Sequence, residues 1–463
     1  MDRASPNDGT ARHDHKRCAD ALAAFPRFGN GVGLHRVAHL LREAGSTRWL
    51  REQSAIKVTG SKGKGSTSAT IASILRVLGF RTGLFTSPHL CTPAERIQVD
   101  GVAIRPGVMA ERLQGISDAR HRYERVHPGD LIGGFEALTV AAAMHMQESG
   151  VEASVWEVGI GGRYDPVRLI PGAVSALTSV ELEHTAILGS TREAIAYDKS
   201  DLCETGGILV CGDVGEEIIR RLRIYAGLRG VSIADASELA RIENPRYAHG
   251  RMRFELEILE RLKFSALDSP LLGPHQAGNT AVAVLAVLEW LARRHPDLLA
   301  DTALLAANIA RGIAEVHWPG RLERVATSPE TYIDIAHTPA STAATMRTLR
   351  SMYPHAPLVA VCGVSVGKDA HGIAGEVRRA ADHVVWTQAD YKGLSAAELA
   401  AMASGGGEDP HAEIIAAGAA ALARACVLAS AVGGVVIVLG SMYLAVETRT
   451  RVKGEDPDLL WFF

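Results

Sequence analysis

The sequence predicts an α/β protein built as two units: a larger one around a parallel sheet and a smaller, Rossmann-like one at the C-terminal end. Three observations carry this. Apolar strand-like runs alternate with helix-like runs from Ala55 onward, the pattern of a parallel sheet with helices on both faces. A glycine-rich turn, Gly60-Ser61-Lys62-Gly63-Lys64-Gly65-Ser66-Thr67, stands between the first strand and the first helix of that series. After Pro319-Gly320, which ends any helix, a fresh β/α alternation begins.

In the first unit the expected strands are Ala55–Thr59, Thr82–Phe85, Ala153–Val158, Ala176–Val180 and Gly207–Cys211. Helices are expected over Ser68–Leu78, Gly134–Glu148, Thr191–Leu202, Gly215–Ala226, Gln276–Arg294 and Asp301–Ala314. Residues Arg241–Leu262 alternate less regularly and read as an inserted β-hairpin. In the second unit the strands are Thr331–Ile335, Leu358–Cys362, His383–Trp386 and Gly434–Leu439. Its helices are Pro339–Ser351, Gly372–Ala380, Ser395–Ala403 and His411–Leu428. Gly405-Gly406-Gly407 reads as a flexible loop. The expected boundaries are a disordered extension over 1–17, a nucleotide-binding unit over 18–315, a hinge at 316–320 and the C-terminal unit over 321–463.

A strand, a glycine-rich loop and a helix in that order make an anion site. Glycines let backbone N–H groups turn toward a phosphate, and the helix N-terminus and the Lys64 ammonium add positive potential. Gly60, Gly63, Lys64 and Gly65 therefore read as the nucleotide cradle. Ser66, with Thr67 as the alternative, reads as the hydroxyl that reaches a nucleotide-bound Mg²⁺. The spacing departs from the common phosphate loop, because two residues separate Gly60 from Gly63 and Gly65 intervenes before Ser66.

Composition sets bounds. The 463 residues are 47% hydrophobic and 22% charged, ordinary values for globular domains and too many residues for one core. A formal net charge of −3 gives no electrostatic reason to expect nucleic acid or an anionic membrane as partner. No run is long and apolar enough for a membrane span, and the polar N-terminus lacks the apolar segment of a signal peptide. Six scattered cysteines form no C-x-x-C pair, which suits reduced thiols in a cytoplasmic protein, and a monomer is expected.

The variant loop G-x-x-G-K-G-S resembles that of the Mur ligase superfamily, and within it the folylpolyglutamate and dihydrofolate synthases. Further motifs in the family's order extend the resemblance from about residue 26 to the C-terminus. They are Thr86-Ser87-Pro88-His89-Leu90 with Glu95-Arg96-Ile97, Phe135-Glu136, Trp156-Glu157-Val158-Gly159 through Arg163, and Glu183-His184-Thr185. Asp198-Lys199, Gln276 with Asn279, Trp318-Pro319-Gly320-Arg321, Asp334-Ile335-Ala336-His337 and Gly440-Ser441-Met442-Tyr443-Leu444 complete the series.

The resemblance implies a Mur-ligase-like fold and ATP-dependent, ADP-forming amide synthesis through an acyl phosphate. It implies ATP and Mg²⁺ as cofactors, with a small carboxylate and an amino acid or amine as substrates. Ser87, Glu157 and His184 match magnesium positions, and Lys199 matches a lysine that is carbamylated to hold a second metal. Asn279, Arg321 and Asp334 match nucleotide contacts, and His337 matches a residue near the reacting centre. Lys64, Lys199 and His337 thus form the expected catalytic set. Docking of the second unit onto the first is expected to exclude water from the acyl phosphate.

Several residues depart from the family pattern: Lys62, Gly133-Gly134, Tyr164-Asp165-Pro166, Asp198, and Ile335 and Thr338 within D-I-A-H-T-P. Nucleotide and metal positions are kept while presumed substrate positions differ, so the expectation is a ligase whose acid is other than folate. A genuine folylpolyglutamate or dihydrofolate synthase is the alternative. A nucleotide-dependent binding protein without catalysis is the rival of another class, and retention of Glu157, His184, Lys199 and His337 argues against it. A cell-wall precursor ligase is disfavoured, since few residues precede the phosphate loop.

Overall fold

The computed structural model describes residues 8–404 and 410–462. The described chain separates into two compact units. Of the described residues, the first comprises 8–245, 254–269 and 275–317, and the second 246–253, 270–274, 318–404 and 410–462.

Strands of the first unit, in chain order, are β1 (Ile56–Thr59), β2 (Thr82–Phe85), β3 (Ile97–Val99), β4 (Val102–Ala103), β5 (Ala153–Glu157), β6 (Val174–Leu177), β7 (Ile208–Cys211) and β8 (Ser232–Asp235). They form one sheet in the order β4-β3-β2-β5-β1-β6-β7-β8. The run from β2 to β8 is parallel, and β3 and β4 close one edge antiparallel. Every residue of β1, β2, β5, β6 and β7 is buried. That two-sided burial suits their mostly apolar composition. Ile56 of β1 lies between Val155 of β5 and Val174 of β6. The loops that follow these strands therefore emerge side by side at the sheet's C-terminal edge, where open parallel sheets hold ligands.

A separate three-stranded sheet follows: β9 (Ala240–Ala248), β10 (Arg251–Ile258) and β11 (Leu262–Ser269), in the order β11-β10-β9. The expected hairpin is thus extended by a third strand. Met252, Phe254, Leu256 and Ile258 alternate onto one buried face of β10.

The second unit contains β12 (Glu323–Thr327), β13 (Glu330–Ile333), β14 (Leu358–Cys362), β15 (His383–Gln388), β16 (Ala412–Ala417) and β17 (Val435–Leu439). Their order is β12-β13-β17-β14-β15-β16, all parallel except the edge strand β12. This is the Rossmann-like arrangement expected.

Two expectations are corrected. Residues 8–17 are not a disordered extension but belong to the helix Asp8–Ala23. Cys18, Ala19 and Leu22 on that helix are buried, and it packs on the helix Pro106–Val126. Residues 1–7 lie outside the described residues, as does Gly405-Gly406-Gly407. The expected helix His411–Leu428 begins as strand β16, with the helix itself at Gly418–Val432. An alanine-rich run carries no period to separate the two, and parallel pairing of β16 with β15 decides the outcome.

Candidate active site

The phosphate loop leaves β1 and enters the helix Lys64–Val77. Gly63, the residue before that helix, has φ +83°, and Gly60 has φ +144°, both in the region glycine tolerates. A Cβ on Gly63 would stand 2.3 Å from Asn279 Oδ1, so the amide of Asn279 lies against the loop. Gln276 Oε1 accepts from Asn279 Nδ2 at 3.0 Å and fixes that amide. Thus Asn279, more than two hundred residues downstream, is brought to the loop as expected.

The segment after β6 braces the other side. Ser61 N donates to Ser179 O at 2.9 Å and Lys62 N donates to Ser179 Oγ at 2.9 Å. Glu181 N donates to Ser61 Oγ at 2.9 Å. Lys64 Nζ donates to Gly60 O at 2.8 Å, folded back over its own loop. Burial lowers the pKa of Lys64, while Glu157 and Glu183 pull it upward. Ser66 and Thr67 are buried in the first turn of the helix, and the Thr67 hydroxyl has no hydrogen-bond partner. Ser66 and the unpartnered Thr67 are both positioned where the sequence places a metal-reaching hydroxyl.

Glu157 ends β5 and is buried. Its Oε2 accepts from Ser87 N at 3.1 Å, which joins two of the three expected magnesium residues. Close by, Arg96 Nε donates to His89 Nδ1 at 2.9 Å, and both side chains are buried. Burial pushes the Arg96 guanidinium down to about 10, against the pull of Glu157 and Glu95. Glu95 holds the connecting turn, accepting from Leu90 N, Cys91 N and Thr92 N at 2.8–2.9 Å. His184, the third expected ligand, is exposed at the start of the short helix Thr185–Leu188, with φ +46°.

Lys199 lies on the helix Arg192–Ser200 and is 1% exposed. Its Nζ donates to Glu183 Oε1 at 2.9 Å. Burial works to raise Glu183, but Lys199, Lys64 and the Ser61 hydroxyl outweigh it and hold this carboxyl below its usual range. Asp198, beside Lys199, instead accepts from Gly162 N at 2.9 Å. In the sequence Glu183 stands out only as the acidic neighbour of His184 in Glu183-His184-Thr185.

Among the described residues no group of three or more His, Cys, Asp or Glu is arranged to hold a metal ion. The donor chemistry nevertheless fits magnesium. Ser87 and Glu157 supply oxygens, and Mg²⁺ is commonly held by one or two carboxylates with nucleotide phosphates and waters completing its shell.

In the second unit, Asp334 follows β13. Its Oδ2 accepts from Leu322 N at 2.8 Å and its Oδ1 from Ala336 N at 2.7 Å. Burial raises its pKa, and Arg321 opposes that. Asp334 therefore clamps the segment that carries Arg321. His337 Nδ1 hydrogen-bonds Ile335 O at 2.9 Å, which directs the ring just before the helix Pro339–Met352. Tyr443 packs edge-on against Tyr391 and Phe462, a structural role.

These features define a phosphate-loop α/β unit joined in sequence to a Rossmann-like unit with its own Asp-x-x-His turn. The Mur ligase, glutamate ligase domain matches residues 320–442. A probable bifunctional folylpolyglutamate synthase/dihydropteroate synthase of Haloferax volcanii is 33% identical over 94% of this chain and 50% of its own length. The chain thus spans about half the length of the two haloarchaeal relatives of that description. Folylpolyglutamate synthase of Lacticaseibacillus casei is 27% identical, over 94% of this chain and 97% of its own. Mycobacterium tuberculosis folylpolyglutamate synthase, solved with ADP and AMPPCP, superposes with a TM-score of 0.84 at 27% identity, covering 96% of this chain and all of that one. Over nearly its whole length the chain is similar to folylpolyglutamate and dihydrofolate synthases, and its C-terminal unit carries the match to the Mur ligase, glutamate ligase domain.

Proposed function

We propose that the protein is an ATP-dependent, ADP-forming ligase that joins glutamate to a folate-type carboxylic acid. The observation that carries this reading is the grouping of Lys64, Glu157, Ser87, Lys199 and Asn279 about one phosphate loop. Its full-length resemblance to folylpolyglutamate synthases supports folate as the acid over a different carboxylate.

Two of the segments that favoured another acid have backbone roles. A Cβ on Gly133 would lie 2.4 Å from Gly29 N and 2.9 Å from the Phe28 carbonyl carbon, so glycine there admits the segment before Leu34. Gly134 N then donates to Pro26 O at 2.8 Å. Arg36, 1% exposed, pairs with Glu136 at 2.9 Å and Asp130 at 2.5 Å beneath the same segment. Asp165 accepts from Gly159 N, Ile160 N and Val167 N at 2.9–3.2 Å, shaping the loop after β5. Gly133 and Asp165 thus both serve the backbone of their segments.

In the proposed mechanism Lys64 leaves Gly60 O and, with the loop amides, holds the β- and γ-phosphates, and Asn279 packs beside the nucleotide. Magnesium, held by Ser87, Glu157 and His184 with Ser66 or Thr67, would neutralise charge on the transferring phosphoryl group. The acid's carboxylate attacks the γ-phosphorus, giving an acyl phosphate and ADP. The amine then attacks the acyl carbon and phosphate leaves. Lys199, an ammonium paired with Glu183 in this structure, is assigned to a second metal position once it leaves that pair and is carbamylated. Arg321 and Asp334 are assigned to the nucleotide, and His337 to the incoming amine.

The test is product analysis with ATP, Mg²⁺, glutamate and either dihydropteroate or tetrahydrofolate. ADP, phosphate and a glutamylated product in equal amounts are expected. Turnover of other acids with none of either folate substrate would return the reading to a different carboxylate; AMP and pyrophosphate would end it.

A further inference from the structure

We infer that Glu183 is a further metal-binding carboxylate of this site, held by Lys199 until a metal–nucleotide complex arrives. The inference rests on the ligase reading above. Glu183 sits on the segment after β6 that braces the phosphate loop through Ser179 and Glu181. Its carboxylate touches the Ser61 hydroxyl and the Lys199 ammonium, and it acts on Lys64 across the loop.

Lys64 shares the field of Glu157, Glu183, Lys199 and Lys62, so acidic and basic groups alternate around the phosphate loop. Glu183 is 21% exposed, while Lys199 is 1% exposed. The carboxylate therefore lies on the open side of the pair. Asp198 is committed to Gly162 N, so Glu183 is the acidic group that answers Lys199.

Nucleotide phosphates would add several negative charges beside Glu183. Anionic oxygens can share that space when a divalent cation bridges them, and a carboxylate with phosphate oxygens is the donor set magnesium takes. Glu183 would then turn from Lys199 to the metal, directly or through a bound water, and Lys199 would lose its ion pair at the same step.

The test uses Mn²⁺ as the probe and AMPPCP as the nucleotide, with free Mn²⁺ read by electron paramagnetic resonance. Metal-free AMPPCP binding is read by calorimetry in EDTA. Glu183→Gln should weaken Mn²⁺ binding in the nucleotide complex by about tenfold or more, the scale of lost metal-site partners. It should leave metal-free AMPPCP affinity unchanged or tighter, since a repelling carboxylate is gone. Mn²⁺ affinity within about twofold of wild type would make Glu183 a counter-ion only and overturn the inference. If Glu183→Gln does not fold, Glu183→Asp, which keeps the charge but withdraws the oxygens, carries the test: weakened Mn²⁺ binding supports the inference and unchanged binding overturns it. A wild-type protein that binds no AMPPCP, with or without Mn²⁺, would overturn the ligase reading and this inference together. Normal wild-type binding with an unaffected variant overturns this inference alone.

Discussion

Gly133 and Gly29 meet backbone to backbone: a Cβ on Gly133 would lie 2.4 Å from the Gly29 nitrogen and 3.3 Å from its Cα. Neither atom is the end of a flexible side chain, so relief requires moving the chain itself. Gly133→Thr is expected to push the 26–33 segment away from the helix Gly134–Glu148 and to strain the Arg36–Glu136 pair beneath it. Overpacking of this kind costs about 1–3 kcal/mol. Denaturant unfolding should show that loss, and the KM for the acid should rise while the KM for ATP stays put. Wild-type stability in the variant would mean that the close approach has no energetic weight.

Lys64 offers a second measurement. Its ammonium rests on Gly60 O and shares the field of Glu157 and Glu183. Lys64→Met keeps the length and removes the charge. Loss of a charged contact to the transferring phosphoryl group is expected to lower kcat/KM by about a hundredfold or more, near 3 kcal/mol at 1.4 kcal/mol per tenfold. Folding should survive, because removing a buried charge relieves desolvation. Steady-state kinetics beside a melting curve would decide, and an active Lys64→Met enzyme would remove the loop lysine from the mechanism.

The sheets were legible because their strands are buried on both faces: Val435–Leu439 and Leu358–Cys362 are continuous apolar runs with nothing else to be. The phosphate loop was legible because glycine, lysine and hydroxyl must follow one another locally. What was hidden depends on contacts distant in sequence. The helix Asp8–Ala23 is mostly polar and is defined by its packing on Pro106–Val126, which no local pattern reveals. Glu183 joins Lys199 from sixteen residues away, and Arg96 finds His89 around a turn shaped by Glu95. These partnerships are tertiary, so motif reading found the residues but not what they hold.

Glu157 should carry most of the protein's metal dependence. It is buried at the end of β5 and positioned by Ser87 N. Glu157→Gln keeps the volume while removing the charge. The Mg²⁺ concentration for half-maximal turnover should rise by about tenfold or more, and saturating Mg²⁺ should restore part of the rate. A magnesium titration of activity checks this; an unshifted midpoint would place the metal elsewhere.

Asp165 gives a pH signature that can be read without any substrate. Burial pushes its carboxyl up to about 6, although Val167 N, Ile160 N and Gly159 N favour the ionised form. An unfolded aspartate titrates near 3.9. Between these values the folded protein binds more protons than the unfolded chain, so this group's contribution is full below about pH 4 and is lost as pH rises through about 6. The whole swing is about 3 kcal/mol, at 1.36 kcal/mol per unit. Asp165→Asn keeps one acceptor oxygen but cannot titrate. The stability advantage of wild type over Asp165→Asn should therefore be largest near pH 4 and shrink through pH 6, with urea unfolding followed from pH 4 to 8. Comparing the two proteins at each pH cancels the other carboxylates, which titrate alike in both. A difference that stays flat, or that grows toward neutral pH, would mean that the three N–H donors outweigh burial and keep this carboxylate ionised throughout.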